Sequence, residues 1–200
     1  MASALLWLTD GGAVSDSALA RFVGWLGAGE LQRYQGFTRP LRQRQFLIGR
    51  VLLRQTLGAL LGAPGEQIRL HERRDNAPLL AHPDSAHIGL SISHSGPWVA
   101  CAVSADCLLG LDIEVIDPAR DVLALAQQAF EPAAIAWLAA RAPSDKVRDF
   151  YELWCAREAR IKLPGEQGAC IHIAHGALAI ALSSAQALAH PPLLQTRSLS

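Results

Sequence analysis

The sequence predicts a mixed α/β (α+β) fold, and three observations carry that expectation. Short runs with period-two alternation cluster in the middle of the chain: "HIGLSIS" (87–93), "WVACAVS" (98–104) and "LLGLDIEV" (108–115). Longer runs with helical spacing flank them, the clearest from Arg42 to Leu61 and from Val147 to Leu163. At 200 residues, 50% of them hydrophobic, the chain suits one compact domain or two small halves sharing an interface.

Taken in order, the opening "SALLWL" reads as a strand, and "SDSALARFVGWLGAGELQRYQGF" as helical with Ser15 or Asp16 as its cap. From Arg42 to Leu61, Phe46, Leu53, Leu57 and Leu60 mark an apolar face, while Arg44, Arg50 and Arg54 supply the polar side. Gly62 and Pro64 stop that helix. "IRLHERR" is a strand candidate, and "HSGP" is a tight turn joining the next two. In "HIGLSIS", Ile88, Leu90 and Ile92 alternate with His87, Gly89, Ser91 and Ser93, giving one apolar and one small or polar face. Helices follow at Val122 to Phe130, Pro132 to Arg141, and through "VRDFYELWCAREARIKL". "ACIHIAHGALAIALSS" then gives two final strands, and the last dozen residues read as loose. A boundary near Ala105 divides residues 1–105 from 106–200, with no linker to mark it.

Eighteen basic and eighteen acidic residues leave no net charge, which argues against nucleic acid as a partner. The cysteines (Cys101, Cys107, Cys155, Cys170) lack zinc-site spacing and read as thiols of a reducing compartment. "MASALLWLTD" has no basic leader and meets Asp10 early, and no apolar run approaches membrane-helix length. A cytoplasmic protein without membrane contact is expected.

The stretch "GLDIEV" raises the sharpest question. As a strand it puts Asp112 and Glu114 on one face, with Leu111, Ile113 and Val115 on the other. At an effective dielectric near 20, like charges ~6.5 Å apart repel by roughly 2.5 kcal/mol. A solvated edge strand would tolerate them, but the large aliphatic neighbours indicate at least one packed face. A hard cation also removes the penalty, and an oxygen-only donor set favours Mg²⁺. In "YELWCAREARIK", Tyr151, Trp154, Glu158 and Lys162 recur on one helical face, with Arg157 beside it. Glu158 and Lys162 alone would be an ordinary surface pair. Facing two carboxylates, they would suit a metal-bound polyphosphate. In "SISHS", Ser93 and His94 lack a nucleophile-elbow context, so a histidine donating to phosphate is the better functional reading.

"SISHSGPWVACAVS", "GLDIEV" and "FYELWCAREARIK", in that order, resemble the 4′-phosphopantetheinyl transferases of the surfactin-synthetase-activating type. That family carries a Ser-His stretch, a G-[IV]-D-[IV]-E strand and a W-x-x-K-E-[AS]-x-x-K helix. Trp154, Glu158, Ala159 and Lys162 match the last of these, and "FLIGRVLLR" with "RRDNAPLL" looks like the family's first half. Two departures stand out: Arg157 replaces the family's lysine, and Gly-Lys-Pro becomes Asn76-Ala77-Pro78.

The resemblance implies two similar subdomains in pseudo-twofold arrangement, each a small sheet with packed helices, and an active site in the cleft between them. It implies transfer of 4′-phosphopantetheine from coenzyme A to a serine of an acyl or peptidyl carrier protein, releasing adenosine 3′,5′-bisphosphate. Mg²⁺ would be held by Asp112, Glu114 and Glu158. Glu158, Lys162 and Arg157 would form the catalytic group. Coenzyme A would be gripped by Ser93, His94, Arg44, Arg73, Arg74, Arg157 and Lys162. A monomer is expected. A coenzyme A-binding homologue without transferase activity is the alternative that Arg157 and Ala77 motivate.

Overall fold

Strand β1 (Leu5–Asp10) opens the chain as expected, but the helical stretch after it is broken. It forms α1 (Asp16–Phe22), a 3-10 turn over Val23–Trp25, and α2 (Ala28–Gln35). Ser15 caps α1 by accepting from Ala18 N, and the Gly27 N–H donates to Glu30 Oε2 at 2.9 Å where α2 begins. Glycines 24 and 27 interrupt what periodicity alone reads as continuous. Helix α3 (Pro40–Leu61) runs unbroken from a proline in its first turn to Gly62, whose φ of 68° closes it in the left-handed conformation.

The computed structural model describes residues 1–73, 77–81, 87–163, 165 and 168–199. The described residues of "IRLHERR" form the two-residue β2 (Leu70–His71), paired with β3 (Leu79–Leu80). Strands β4 (Gly89–Ser95) and β5 (Trp98–Ser104) make a hairpin across Gly96, which has a φ of 53°. β6 (Leu109–Val115), α4 (Val122–Ala129), α5 (Pro132–Ala139) and α6 (Pro143–Lys162) follow. β7 (Cys170–His172) and β8 (Leu178–Ser184) complete a sheet ordered β6-β8-β7.

The expectation of a loose tail fails. Residues Leu194–Thr196 form β9, which pairs parallel with β1 and completes the other sheet, ordered β4-β5-β1-β9. Arg197 N donates to Leu8 O at 2.8 Å, its guanidinium sits 4.3 Å from the Trp7 ring centre, and Leu199 is buried. A division at residue 105 is therefore not clean, because the second half supplies an edge strand to the first.

Alternation along the strands explains the layering. Leu5, Trp7, Val99, Cys101 and Val103 face α3, while Leu6, Leu8, Ala100 and Ala102 face the second sheet. From that sheet Leu111, Ile113, Leu178, Ile180 and Leu182 meet them, and Ala179 and Ala181 turn to α6. Each subdomain thus carries one long helix on the outer face of its sheet, and both sheets are buried on two sides. Among the described residues no helix is long and apolar enough to cross a membrane.

Candidate functional site

Because Leu111, Ile113 and Val115 pack inward, Asp112 and Glu114 face α6. Helix and strand approach closely at Gly110, where an added Cβ would lie 2.0 Å from Ala159 O. That contact brings Lys162, near the end of α6, onto Asp112. Lys162 Nζ lies 2.6 Å from Asp112 Oδ1 and 3.1 Å from both Ser93 Oγ and Leu111 O. Asp112 is 5% exposed. Ser93 Oγ donates to its Oδ1 at 2.9 Å, and its Oδ2 is buried with no hydrogen-bond partner among the described residues.

Ser95 Oγ donates to Glu114 Oε2 at 2.6 Å. Burial pushes the Glu114 carboxyl above its ordinary range; Asp112 adds to this, while hydrogen bonds from Ser95 and Trp154 oppose it. Cys155 abuts the same acids, and burial reinforced by the Asp112 charge drives its thiol far up, so it stays protonated. Glu158 is half-buried, one turn before Lys162. Among the described residues no three His, Cys, Asp or Glu side chains stand close enough to hold a metal. Asp112, Glu114 and Glu158 are therefore not gathered as they stand. Their chemistry still fits a hard divalent cation: the donors are all oxygen, and Asp112 Oδ2 is an unused, buried acceptor.

Beside this cluster a cavity of about 530 Å³ opens between α3, β4 and the end of α6. Its cations are Arg33, Arg42, Arg50 and Lys162, and Phe46, Ala77, Pro78 and His94 are among its walls. Arg42 Nη1 touches both ring nitrogens of His94, at 3.1 Å for Nδ1. Burial, then the Arg42 and Lys162 charges, push His94 down to about 4, so the ring is neutral at pH 7 and accepts from Arg42. The guanidinium carbons of Arg50 and Arg33 lie 4.6 and 5.5 Å from the Phe46 ring centre. Glu72 holds both arginines, with Arg50 Nη2 at 2.6 Å. Arg50 Nε is 3.1 Å from Glu30 Oε1, an ion pair whose N–H is not directed as a hydrogen bond. Deeper in, Arg54 and Glu30 pair at 1% exposure each.

Not every residue expected at the site reaches it. Lys162 and His94 line the cavity, with Ser93 buried close by against Lys162. Arg44 faces elsewhere, donating from Nε to Gly11 O at 3.0 Å and from Nη1 to Asp16 Oδ1 at 2.5 Å. Helical geometry explains this: Arg44 sits about 200° round the helix from Arg42, whereas Gln45, Phe46, Gly49 and Arg50 share the Arg42 face. Arg73 is exposed and spends its Nε on Ala77 O at 2.8 Å. Arg74 and Asn76 lie outside the described residues. Arg157 is exposed, 5.9 Å from the Trp154 ring centre and off the cavity wall. Sequence reasoning missed Arg33, Arg42 and Arg50; the 42/45/46/49/50 spacing was the signal that could have found them.

Comparison with known proteins gives the family. Residues 14–106 match the model described as "4′-phosphopantetheinyl transferase, N-terminal", and residues 108–177 match that of the "4′-phosphopantetheinyl transferase superfamily". The 4′-phosphopantetheinyl transferase AcpT of Salmonella typhimurium is 32% identical over 171 residues, covering 82% of each chain. The chain belongs to the 4′-phosphopantetheinyl transferase superfamily.

Other superfamily members match over a smaller share of their length. HetI of Nostoc sp. is 31% identical over 76% of this chain and 64% of its own. The gsp transferase of Aneurinibacillus migulanus is 31% identical over 68% of this chain and 55% of its own. The chain therefore spans less than two thirds of those two relatives. The two superfamily matches meet between β5 and β6, at the seam between the sheets.

Proposed function

We propose that the protein transfers the 4′-phosphopantetheine group of coenzyme A to a serine hydroxyl of an acyl or peptidyl carrier protein. The observation that carries this reading is the position of Lys162, which lines the cationic cavity and also touches the buried Asp112. A pyrophosphate entering the cavity would thus meet an ammonium already fixed beside two carboxylates.

In the reaction the serine oxygen attacks the phosphorus bearing the pantetheine arm, and the bond to the bridging oxygen breaks, releasing adenosine 3′,5′-bisphosphate. Mg²⁺ held by Asp112, Glu114 and Glu158 would supply charge neutralisation at the pyrophosphate and leaving oxygen. Lys162 and Arg42 hold phosphate oxygens, and Arg33 and Arg50 add positive potential along the wall. His94, neutral and bonded to Arg42, gains a proton when a phosphate replaces that arginine contact. Glu158, which has no hydrogen bond or ion pair among the described residues, is the group left to take the serine proton. The soluble compartment assumed for such chemistry is the cytoplasm, and the protein acts as a monomer.

The test is a carrier-protein assay read by mass. Wild type should add one phosphopantetheine per carrier protein, Glu158→Gln should suppress the product at least about a hundredfold, and EDTA should abolish it. A wild type that binds coenzyme A yet modifies no carrier protein overturns the transferase reading.

A further inference from the structure

β4 and β6 belong to different sheets, and where they meet the usual backbone ladder is replaced by serine side chains. The Oγ atoms of Ser91, Ser93 and Ser95 accept from the amides of Leu111, Ile113 and Val115 at 2.9, 3.2 and 3.0 Å. A hydroxyl that accepts an amide still has one proton to donate. Ser93 gives its proton to Asp112 Oδ1, and Ser95 gives its own to Glu114 Oε2 at 2.6 Å. The residue in the equivalent place for Ser91 is Gly110, so that serine has no carboxylate in register.

We propose that Ser95 is a positioning residue for Glu114: from the first subdomain, it fixes the carboxylate rotamer that the second subdomain offers to the metal. The inference rests on the metal reading of the site given above. A seam needs only an acceptor at each step, and Ser91 shows that such a step can stand alone. Ser95 does more, because its proton is committed to the carboxylate of the residue preceding the amide it accepts. Trp154, on α6, adds to Ser95 in opposing the upward push on the Glu114 carboxyl. With Ser95 removed, the Glu114 carboxylate loses the hydrogen bond that ties it to the first subdomain and is free to turn.

The ladder supplies its own control. Ser91→Ala and Ser95→Ala each delete one amide acceptor at the seam, and only the second also frees a carboxylate. In the presence of coenzyme A, Ser95→Ala should weaken Mn²⁺ binding, read by electron paramagnetic resonance, about fivefold or more. Ser91→Ala should stay within about twofold of wild type while losing seam stability to urea. Ser95→Thr, which keeps the hydroxyl, should restore Mn²⁺ affinity. Independently of metal, the ¹³C carboxyl resonance of Glu114 should titrate at higher pH in Ser95→Ala and be unchanged in Ser91→Ala. If that resonance does not respond to Ser95→Ala, or responds without any loss of Mn²⁺ affinity, the positioning role is overturned. If wild type takes up no Mn²⁺ but the resonance still moves only in Ser95→Ala, the metal reading fails and the anchoring of Glu114 by Ser95 stands.

Discussion

Lys162 Nζ lies 2.6 Å from Asp112 Oδ1 and joins the last turn of α6 to the middle of β6. Removing the ammonium leaves a carboxylate that is 5% exposed without its cation. A wholly buried pair broken in this way costs ~3–5 kcal/mol, but the Lys162 side chain is 35% exposed and solvent screens it. Lys162→Met should therefore destabilise by about 1–2 kcal/mol in urea unfolding, and Asp112→Asn in the same chain should recover most of that. The same variant should weaken coenzyme A binding by calorimetry, by roughly 1.5–3 kcal/mol.

Arg42 and Arg44 are two residues apart and should behave oppositely. Arg42→Gln removes a cation from the cavity wall and should weaken coenzyme A binding by about ten- to a hundredfold, with little change in unfolding. Arg44→Gln should leave coenzyme A affinity within about twofold but cost roughly 1–2 kcal/mol of stability, since it frees the Gly11 and Val14 carbonyls. Equal loss of affinity in both variants would show that the cavity is not the coenzyme A site.

His94 makes stability depend on pH. Its folded value of about 4 lies below the ordinary 6.5, so the unfolded chain binds more protons between those limits. The neutral ring's contribution is fully present above about 6.5 and is lost as pH falls towards 4, with a span of at most about 3 kcal/mol. Histidine NMR should place the titration low in the free protein. A phosphate beside the ring should raise it, so coenzyme A binding should take up a proton and tighten as pH falls from 7 to 6. His94→Asn should flatten both dependences.

Arg157 stands over the outer side of α6, exposed and away from the cavity. Arg157→Lys should therefore change transfer rates by less than about fivefold, which is well under 1.4 kcal/mol. A strong rise on restoring lysine would show instead that the arginine marks a chain whose transfer activity has decayed.

The two halves of the site were not equally legible in the sequence. Period-two alternation alone placed Asp112 and Glu114 on one face, because the opposite face is uniformly aliphatic and buried. Helical spacing put Trp154, Glu158 and Lys162 together for a similar reason. The cavity wall was harder to read, since α3 is buried on several sides and its arginines do not form a simple polar stripe. Arg54 is 1% exposed and Arg50 packs on Phe46, so counting arginines as the outer face pointed to Arg44 instead. The serines of "SISHS" looked merely small and polar. Their role depends on a partner strand nearly twenty residues away, which no local pattern announces. The break between α1 and α2 was missed because apolar spacing continues across Gly24 and Gly27.

Strand β9 could not be foreseen either: its three residues sit in a region rich in proline and polar residues, and only the waiting edge of β1 makes them a strand. Thr9 Oγ bonds Arg197 O across 188 positions of sequence. On the ribosome, β1 must keep one edge open until residues 194–196, which pair with it, have been made. Helix α3 and the β4-β5 hairpin can dock on β1 early, but the final register waits for residues 194–196. The nascent chain therefore carries an unpaired edge of apolar Leu6, Trp7 and Leu8 while the residues between β1 and β9 are made, the interval in which such an edge invites the wrong strand.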